Sequence, residues 1–235
     1  MRIPGSTALV TGANRGIGRH FARQLLDRGA AKVYATARDP EGVDLPGAHV
    51  LRLDVTDPAS VTAAARAAGD VTLLVNNAGI NTGQNLVTGD LAKIRLEMDT
   101  HFYGTLEVVR AFAPVLAANG GGAIVNVLSA LSWFSAPGTS AYAAAKAAQW
   151  SLTNGIRLEL AGQGTQVTAL HLGTADTDMI AGTGLEPLNQ PGDVARAALD
   201  GVEAGELEVV VDDWSAHVKA SLAGDPAAFY RDLAG

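Results

Sequence analysis

An α/β fold, doubly wound about a parallel seven-stranded sheet with helices on both faces, is predicted by three observations. Short apolar or β-branched runs alternate with Ala-rich stretches of helical period from the start almost to the end of the chain. Glycine or proline bounds several of the helical stretches. No internal repeat, low-complexity tract or charged linker interrupts the pattern, so residues 1–235 are expected to form one domain.

The strands are expected at Thr7 to Val10, Lys32 to Thr36, His49 to Leu53, Thr72 to Val75, Ala123 to Val127, Gln166 to Leu170 and Glu208 to Val211. Helices are expected near Ile17 to Asp27, Ala59 to Ala68, Leu91 to Ala118, Ser140 to Leu160 and Asp193 to Ala204. Two short helices follow, Trp214 to Leu222 and Pro226 to Leu233. The stretch 176–190 is rich in Gly, Pro and Thr with weak periodicity, which makes it the candidate substrate loop.

Composition excludes several classes of function. The formal charge of -7 and the absence of any Lys or Arg run argue against nucleic acid as a partner. There is no cysteine, and the five histidines lack metal-ligand spacing, so no metal site is expected. No apolar stretch approaches the roughly 20 residues that span a bilayer, and no signal-peptide core precedes the first strand; a soluble cytoplasmic protein with no membrane partner is the expectation.

The first strand runs into Thr11-Gly12-Ala13-Asn14-Arg15-Gly16-Ile17-Gly18, which opens the first helix. Glycines at 12, 16 and 18 let the backbone turn sharply and bring amide N–H groups and a helix N-terminus against a pyrophosphate. The context is that of a Rossmann-like dinucleotide site. At the end of the second strand, an NAD site wants a carboxylate for the ribose 2′-hydroxyl, whereas a 2′-phosphate needs cations. Here Ala37 occupies that place and Arg38 follows, with Arg15 able to approach from the glycine turn, which favours NADP(H). Both arginines could instead be solvated surface residues, and Asp39 could serve a ribose if the strand ran two residues further. Asp54, beside Val55 after the third strand, either binds the adenine edge or caps the helix after Pro58.

Tyr142 and Lys146 lie four apart in a helical segment and share a face. An ammonium beside a phenol lowers the phenol's pKa and makes it a usable acid and base. Ser129, at the end of the fifth strand, could hold a substrate oxygen through its hydroxyl. These residues, the glycine turn and Asn76-Asn77-Ala78-Gly79 come in the order and spacing of the short-chain dehydrogenase/reductase family, and the chain resembles that family from Thr7 to about Met179. The resemblance implies that Tyr142 exchanges the proton, that Lys146 holds the nicotinamide ribose and lowers the Tyr142 pKa, and that Ser129 orients a carbonyl. It further implies that Asn76 to Gly79 line the cofactor cleft with Asn77 bracing the sheet, and that Gly173, Thr174 and Thr177 match the stretch contacting the nicotinamide carboxamide. The Arg15 and Arg38 pattern is similar to that of NADPH-preferring carbonyl reductases.

Two departures stand out. Leu172 occupies the place where the family usually has Pro, so a less rigid turn is expected. His101 stands where members commonly carry the Asn of a catalytic tetrad, which helps place a water linking the Lys to solvent. A histidine there could preserve the relay by hydrogen bonding, titrate near pH 6.5 and gate the proton supply, or simply pack locally.

The expected activity is NADP(H)-dependent hydride transfer between the nicotinamide and a small-molecule carbonyl or alcohol. A reductase of C=N or C=C bonds, or a cofactor-binding regulatory protein without turnover, are the alternatives. Gln84, Leu131, Trp133, Phe134, Ala136 and the loop carrying Met179, Ile180 and Leu185 are expected to shape a mainly apolar pocket. Apolar surface on the segments Phe102 to Leu116 and Trp150 to Leu160 favours a homodimer or homotetramer.

Overall fold

A computed structural model describes residues 1–234, with side chains to residue 231. Seven strands run β1 Thr7–Thr11, β2 Lys32–Ala37, β3 His49–Arg52, β4 Leu73–Asn76, β5 Gly122–Val127, β6 Thr165–His171 and β7 Glu208–Val210. Every pairing is parallel, in the order β3-β2-β1-β4-β5-β6-β7. The order reverses between β1 and β4, so the chain leaving these neighbours diverges to opposite faces and opens a crevice at their carboxyl ends.

Side chains alternate along each strand, and the two faces bury different partners. Val10 and Val33 join Phe21, Leu25, Val194 and Leu199 on one face, beneath α1 (Gly16–Asp27) and α6 (Pro191–Ala204). Leu9, Leu74 and Ile124 join Val61, Phe112, Leu116, Leu152 and Ile156 on the other, beneath α2 (Pro58–Ala67), α4 (Gly104–Ala118) and α5 (Ser140–Leu160). Helices α7 (Asp213–Ser221) and α8 (Pro226–Ala234) close the chain. Observed boundaries differ from the sequence expectation by one or two residues, the ordinary fraying of element ends.

One helix departs from expectation. The segment read as continuous from Leu91 to Ala118 is α3 (Leu91–Met98), a π turn over Asp99–Tyr103, and then α4. The wider turn is closed by the Gly104 N–H donating to the Asp99 carbonyl. Glycine suits that position because a Cβ there would sit 3.0 Å from Val55 Cγ2. The π turn places His101 and Thr105, both buried, on the side facing α5.

The glycine turn is built to tight tolerances. Gly12 and Gly16 take φ of +66° and +52°, where a side chain is strained. A Cβ on Gly18 would lie 2.2 Å from the Gly12 carbonyl oxygen and 2.4 Å from Asn77 Nδ2. Gly18→Ala therefore forces backbone apart, and we expect a loss of about 2–3 kcal/mol, at the upper end of ordinary point substitutions. Urea unfolding would measure it; an unchanged midpoint would refute this account of the turn.

Candidate active site

The crevice between β1 and β4 is held by one hydrogen-bonded clasp. Thr11 Oγ1 accepts from the Asn77 and Ala78 N–H groups at 2.9 and 3.0 Å, and Asn77 Nδ2 donates to the Thr11 and Gly12 carbonyls. The Ala13 N–H donates to Thr36 O, fixing the other side of the turn to β2. Helix α1 then begins at Gly16 with Arg15 as its extended N-cap, no side-chain cap and no acidic residue in its first turn. Its leading N–H groups are left to an anion, as a pyrophosphate requires. Asn14 and Ile17 flank this opening, half-buried, and Thr177 Cγ2 would lie 3.3 Å from a Cβ on Gly16, so the start of loop 176–190 sits over the turn.

The cationic residues expected for a 2′-phosphate are exposed beside this crevice, Arg38 directly after β2 and Arg15 at the head of α1. Arg15 pairs with Asp178 at 3.0 Å, an exposed ion pair and therefore a weak hold. Asp39 is turned away into a local role: its carboxylate accepts from Glu41 N–H and caps the 3-10 turn Pro40–Gly42. Asp54 does not cap α2. Asp57 does so by accepting from Ala59 N–H, while Asp54 accepts from the Thr56 N–H and hydroxyl. Glycine backbone and an uncapped helix end offer N–H donors to a dinucleotide pyrophosphate, with Arg38 and the Asp178-paired Arg15 exposed nearby.

Ser129, Tyr142, Lys146 and His101 come together at the carboxyl end of β5, all buried. Ser129 is the N-cap of the turn Ala130–Ser132, accepting from Leu131 N–H at 3.1 Å, and its own N–H donates to Ser132 Oγ. From beneath, His171 Nδ1 lies 3.1 Å from the Ser129 carbonyl, a donor's position that sets the imidazole tautomer. Lys146 Nζ donates to Val127 O at 2.7 Å and Gln149 Oε1 at 3.0 Å. It lies 5.6 Å from the Tyr142 ring centroid.

The electrostatics correct the expected pKa logic. Burial pushes the Tyr142 phenol up, the neighbouring Ser129 hydroxyl draws it down, and the Glu97 charge pushes it up again. Lys146 is lowered to about 7 by burial. Lys146 is not among the groups that shift the phenol; its protons are directed to Val127 and Gln149.

His101 is corrected as well. Burial first, then the Lys146 charge, hold it well below the ordinary 6.5, so it does not titrate as a gate near neutrality. Its Nε2 lies 2.8 Å from Ile80 O, which makes Nε2 the protonated nitrogen, and its ring stands edge-on to Tyr142 at 5.2 Å. Gly79 makes room for it, since a Cβ there would fall 2.7 Å from His101 Cε1. Local packing satisfies one ring nitrogen of His101, Nε2, while Nδ1 is buried without a partner among the described residues.

After β6, Leu172 is buried in the core and the turn is pinned rather than loose. Asp212, the N-cap of α7, accepts from Gly173 N–H at 2.8 Å, Ser215 N–H and Asn189 Nδ2. Thr174 is committed to the base of the loop, donating to Glu186 O and accepting from Leu188 N–H.

The proposed pocket residues separate into two groups. Met179 is exposed on the loop, Leu131 is half-buried, and Phe134 stands 6.2 Å from Trp214 and 5.6 Å from Phe229. Gln84 spends its amide inside its own loop, on Thr82 O and Asp90 N–H. Trp133 stacks on His171 at 3.9 Å and is a support beneath Ser129. Sequence reasoning missed Glu97, Thr105, Gln149, His171 and Asp212. The buried polar residue at helical spacing from Lys146 was the one available signal for Gln149, and the Asp before Trp214 was the signal for Asp212.

Among the described residues there is no metal-binding cluster of His, Asp and Glu and no helix long and apolar enough to cross a membrane. The sequence model described as short chain dehydrogenase matches residues 6–186. The structure superposes with a TM-score of 0.94 on a short chain dehydrogenase from Burkholderia cenocepacia in complex with NADP, at 37% identity over 99% of each chain. A galactitol 2-dehydrogenase of Cereibacter sphaeroides is 36% identical over 76% of this chain and 74% of its own. The 3-oxoacyl-[acyl-carrier-protein] reductase of Escherichia coli is 34% identical over 76% and 77%.

His171 gives a stability test. Burial lowers it from 6.5 to about 4, so below pH 6.5 the unfolded chain binds the proton and the folded one does not. Its contribution is complete above pH 6.5 and is lost as pH falls toward about 4, at most about 3 kcal/mol. Unfolding followed over that window should show a slope that His171→Asn flattens in part; an equal slope in the variant would contradict the assignment.

Proposed function

The chain belongs to the short-chain dehydrogenase family, and from that premise we propose that it is an NADP(H)-dependent oxidoreductase acting between a carbonyl compound and its alcohol. The observation that carries the reading is the convergence of Ser129, Tyr142 and Lys146 on one buried wall beside the glycine turn. The glycine turn, Arg15, Arg38 and, across the crevice, Asn77 to Gly79 would hold NADP(H), which would supply or accept the hydride.

Tyr142 gives its proton to the developing alkoxide, and takes it back in the reverse direction. Ser129, held by Leu131, Ser132 and His171, presents a hydroxyl whose orientation is set before substrate arrives. Lys146 would hold the nicotinamide ribose and carry positive charge to the Tyr142 side of the site. The NADP-bound Burkholderia relative supports the choice of cofactor, and so does the engagement of Asp39 in its own turn.

The relatives' names span a sugar alcohol and an acyl carrier, so the substrate reading rests on the lining residues. Phe134, backed by Trp214 and Phe229, together with the half-buried Leu131 and the exposed loop residue Met179, supports a hydrophobic or aromatic carbonyl compound as substrate. Loop 176–190, tied at its base by the Ala175–Asn189 bridge, is the lid over it. Exposed Leu96, Tyr103 and Leu158 on α3, the π turn and α5 support self-association into a homodimer or homotetramer, and a cytoplasmic setting fits the absence of cysteine.

Tyr142→Phe should cut NADPH oxidation with a ketone panel by about a hundredfold or more while leaving NADPH binding, read by nicotinamide fluorescence, intact. Substantial turnover in that variant would remove Tyr142 from its role. Arg15→Ala and Arg38→Ala should each weaken NADPH about tenfold or more and leave NADH unaffected. Equal losses for both cofactors would show that the arginines do not read the 2′-phosphate.

A further inference from the structure

Lys146 is 3% exposed, so its charge must be solvated by protein groups. Two are in place. One is the Val127 carbonyl, which any residue at 127 would offer, and the other is the side-chain oxygen of Gln149, 1% exposed and three residues along α5. Gln149 does not hold this orientation by chance. Its Nε2 donates at 2.9 Å to Thr105 Oγ1, itself buried, and a flipped amide would turn its NH₂ toward the ammonium and lose the Lys146 contact, so the ammonium sets the amide's orientation while Thr105 holds the side chain in place. His101 makes no equivalent contact: its Nε2 is engaged by Ile80 O and its acceptor nitrogen Nδ1 has no partner among the described residues.

We propose that Gln149, locked by Thr105, is a positioning residue that keeps Lys146 charged and fixes where its Nζ sits. The proposal rests on reading Tyr142 and Lys146 as the catalytic pair. Thr105 follows the π turn on the face that carries His101, so the helix that has lost the expected Asn supplies Lys146 through Gln149 instead. Two of the three Nζ protons are thereby committed, leaving one for the cofactor side of the site. Because burial brings Lys146 to about 7, gain or loss of one acceptor changes its charge in the neutral range. Among the surrounding titratable groups, His101 of the π turn and His171 of β6 are held neutral there, Tyr142 on α5 is held protonated, and Glu97 of α3 acts on Tyr142.

The test reads Lys146 directly and needs no turnover. The chain has four lysines, Lys32, Lys93, Lys146 and Lys219, so cofactor-free protein labelled with 13C at lysine Cε can be titrated by NMR, with Lys146→Arg assigning the signal. The wild-type midpoint is expected near 7. Gln149→Met should lower it by about one pH unit or more, and Gln149→Glu should raise it by at least as much. Thr105→Val should lower it less, and Thr105→Ser should restore it. A folded Gln149→Met with the wild-type midpoint, or a Gln149→Glu variant whose midpoint does not rise, overturns the proposal. Should Gln149→Met fail to fold, Thr105→Val and Gln149→Glu decide alone. An absence of NADPH-dependent turnover would count against the reaction assigned above and leave this titration untouched.

Discussion

The clasp between Thr11 and Asn77 is the constraint on which the crevice depends. Strand order reverses at β1 and β4, so the backbones leaving these neighbours diverge and leave polar groups that neither sheet nor helix can satisfy. A threonine hydroxyl and an asparagine amide satisfy them with four bonds, joining the glycine turn to the far wall of the cleft. Asn77 also explains Gly18, since its amide occupies the space a Cβ would need. The opening in the sheet and its closure by a few side-chain bonds are one feature, and the phosphate-binding geometry follows from it.

A second polar line runs through the core and seats α5. Asn76 of β4 donates to Asn126 of β5, Asn126 donates to Thr153 of α5, and Thr153 donates to the Gln149 carbonyl one turn earlier. All four residues are buried, where an unpaired amide would be costly. The line fixes the rotation of α5 on the sheet, and with it the direction in which Tyr142 and Lys146 project. Apolar contacts from Leu152 and Ile156 supply area but little directional information. Register at the catalytic pair is therefore set by hydrogen bonds two turns away.

The elements legible in the sequence were those whose signal is local. Parallel strands announced themselves as apolar runs, the glycine turn by its spacing, and α7 and α8 by their boundaries, because each obeys rules read from neighbouring residues. The π turn was not legible, since the phase shift it puts into the apolar period falls across the polar run Asp99-Thr100-His101. Gln84 and Trp133 were placed in the pocket by position alone, but a loop amide finds its own carbonyls first and an indole stacks on a buried imidazole. Asp54 and Asp57 both precede a helix, and which one caps it depends on the backbone between them. The support around the catalytic residues, His171, Gln149, Thr105 and Asp212, comes from distant segments, so only the folded chain brings it together.

The charge balance of the site follows from burial acting on unlike groups. Removing water penalises the charged form of each residue, so it raises the Tyr142 phenol and lowers the Lys146 ammonium. The dry site by itself therefore favours a neutral phenol and a lysine near its midpoint over the phenolate–ammonium pair. Glu97 reinforces this from α3, with one oxygen bound to the Thr82 N–H and hydroxyl. In that state Tyr142 keeps its proton, the protonation state from which the proposed carbonyl reduction starts, but as a weaker acid than a free phenol. Abstraction from an alcohol needs positive charge beside the phenol, which the two buried histidines, both neutral, do not supply. The charge has to come from Lys146, whose acceptors are Val127 and Gln149. In the proposed reaction, control over both directions of proton transfer thus passes to the groups that solvate one ammonium.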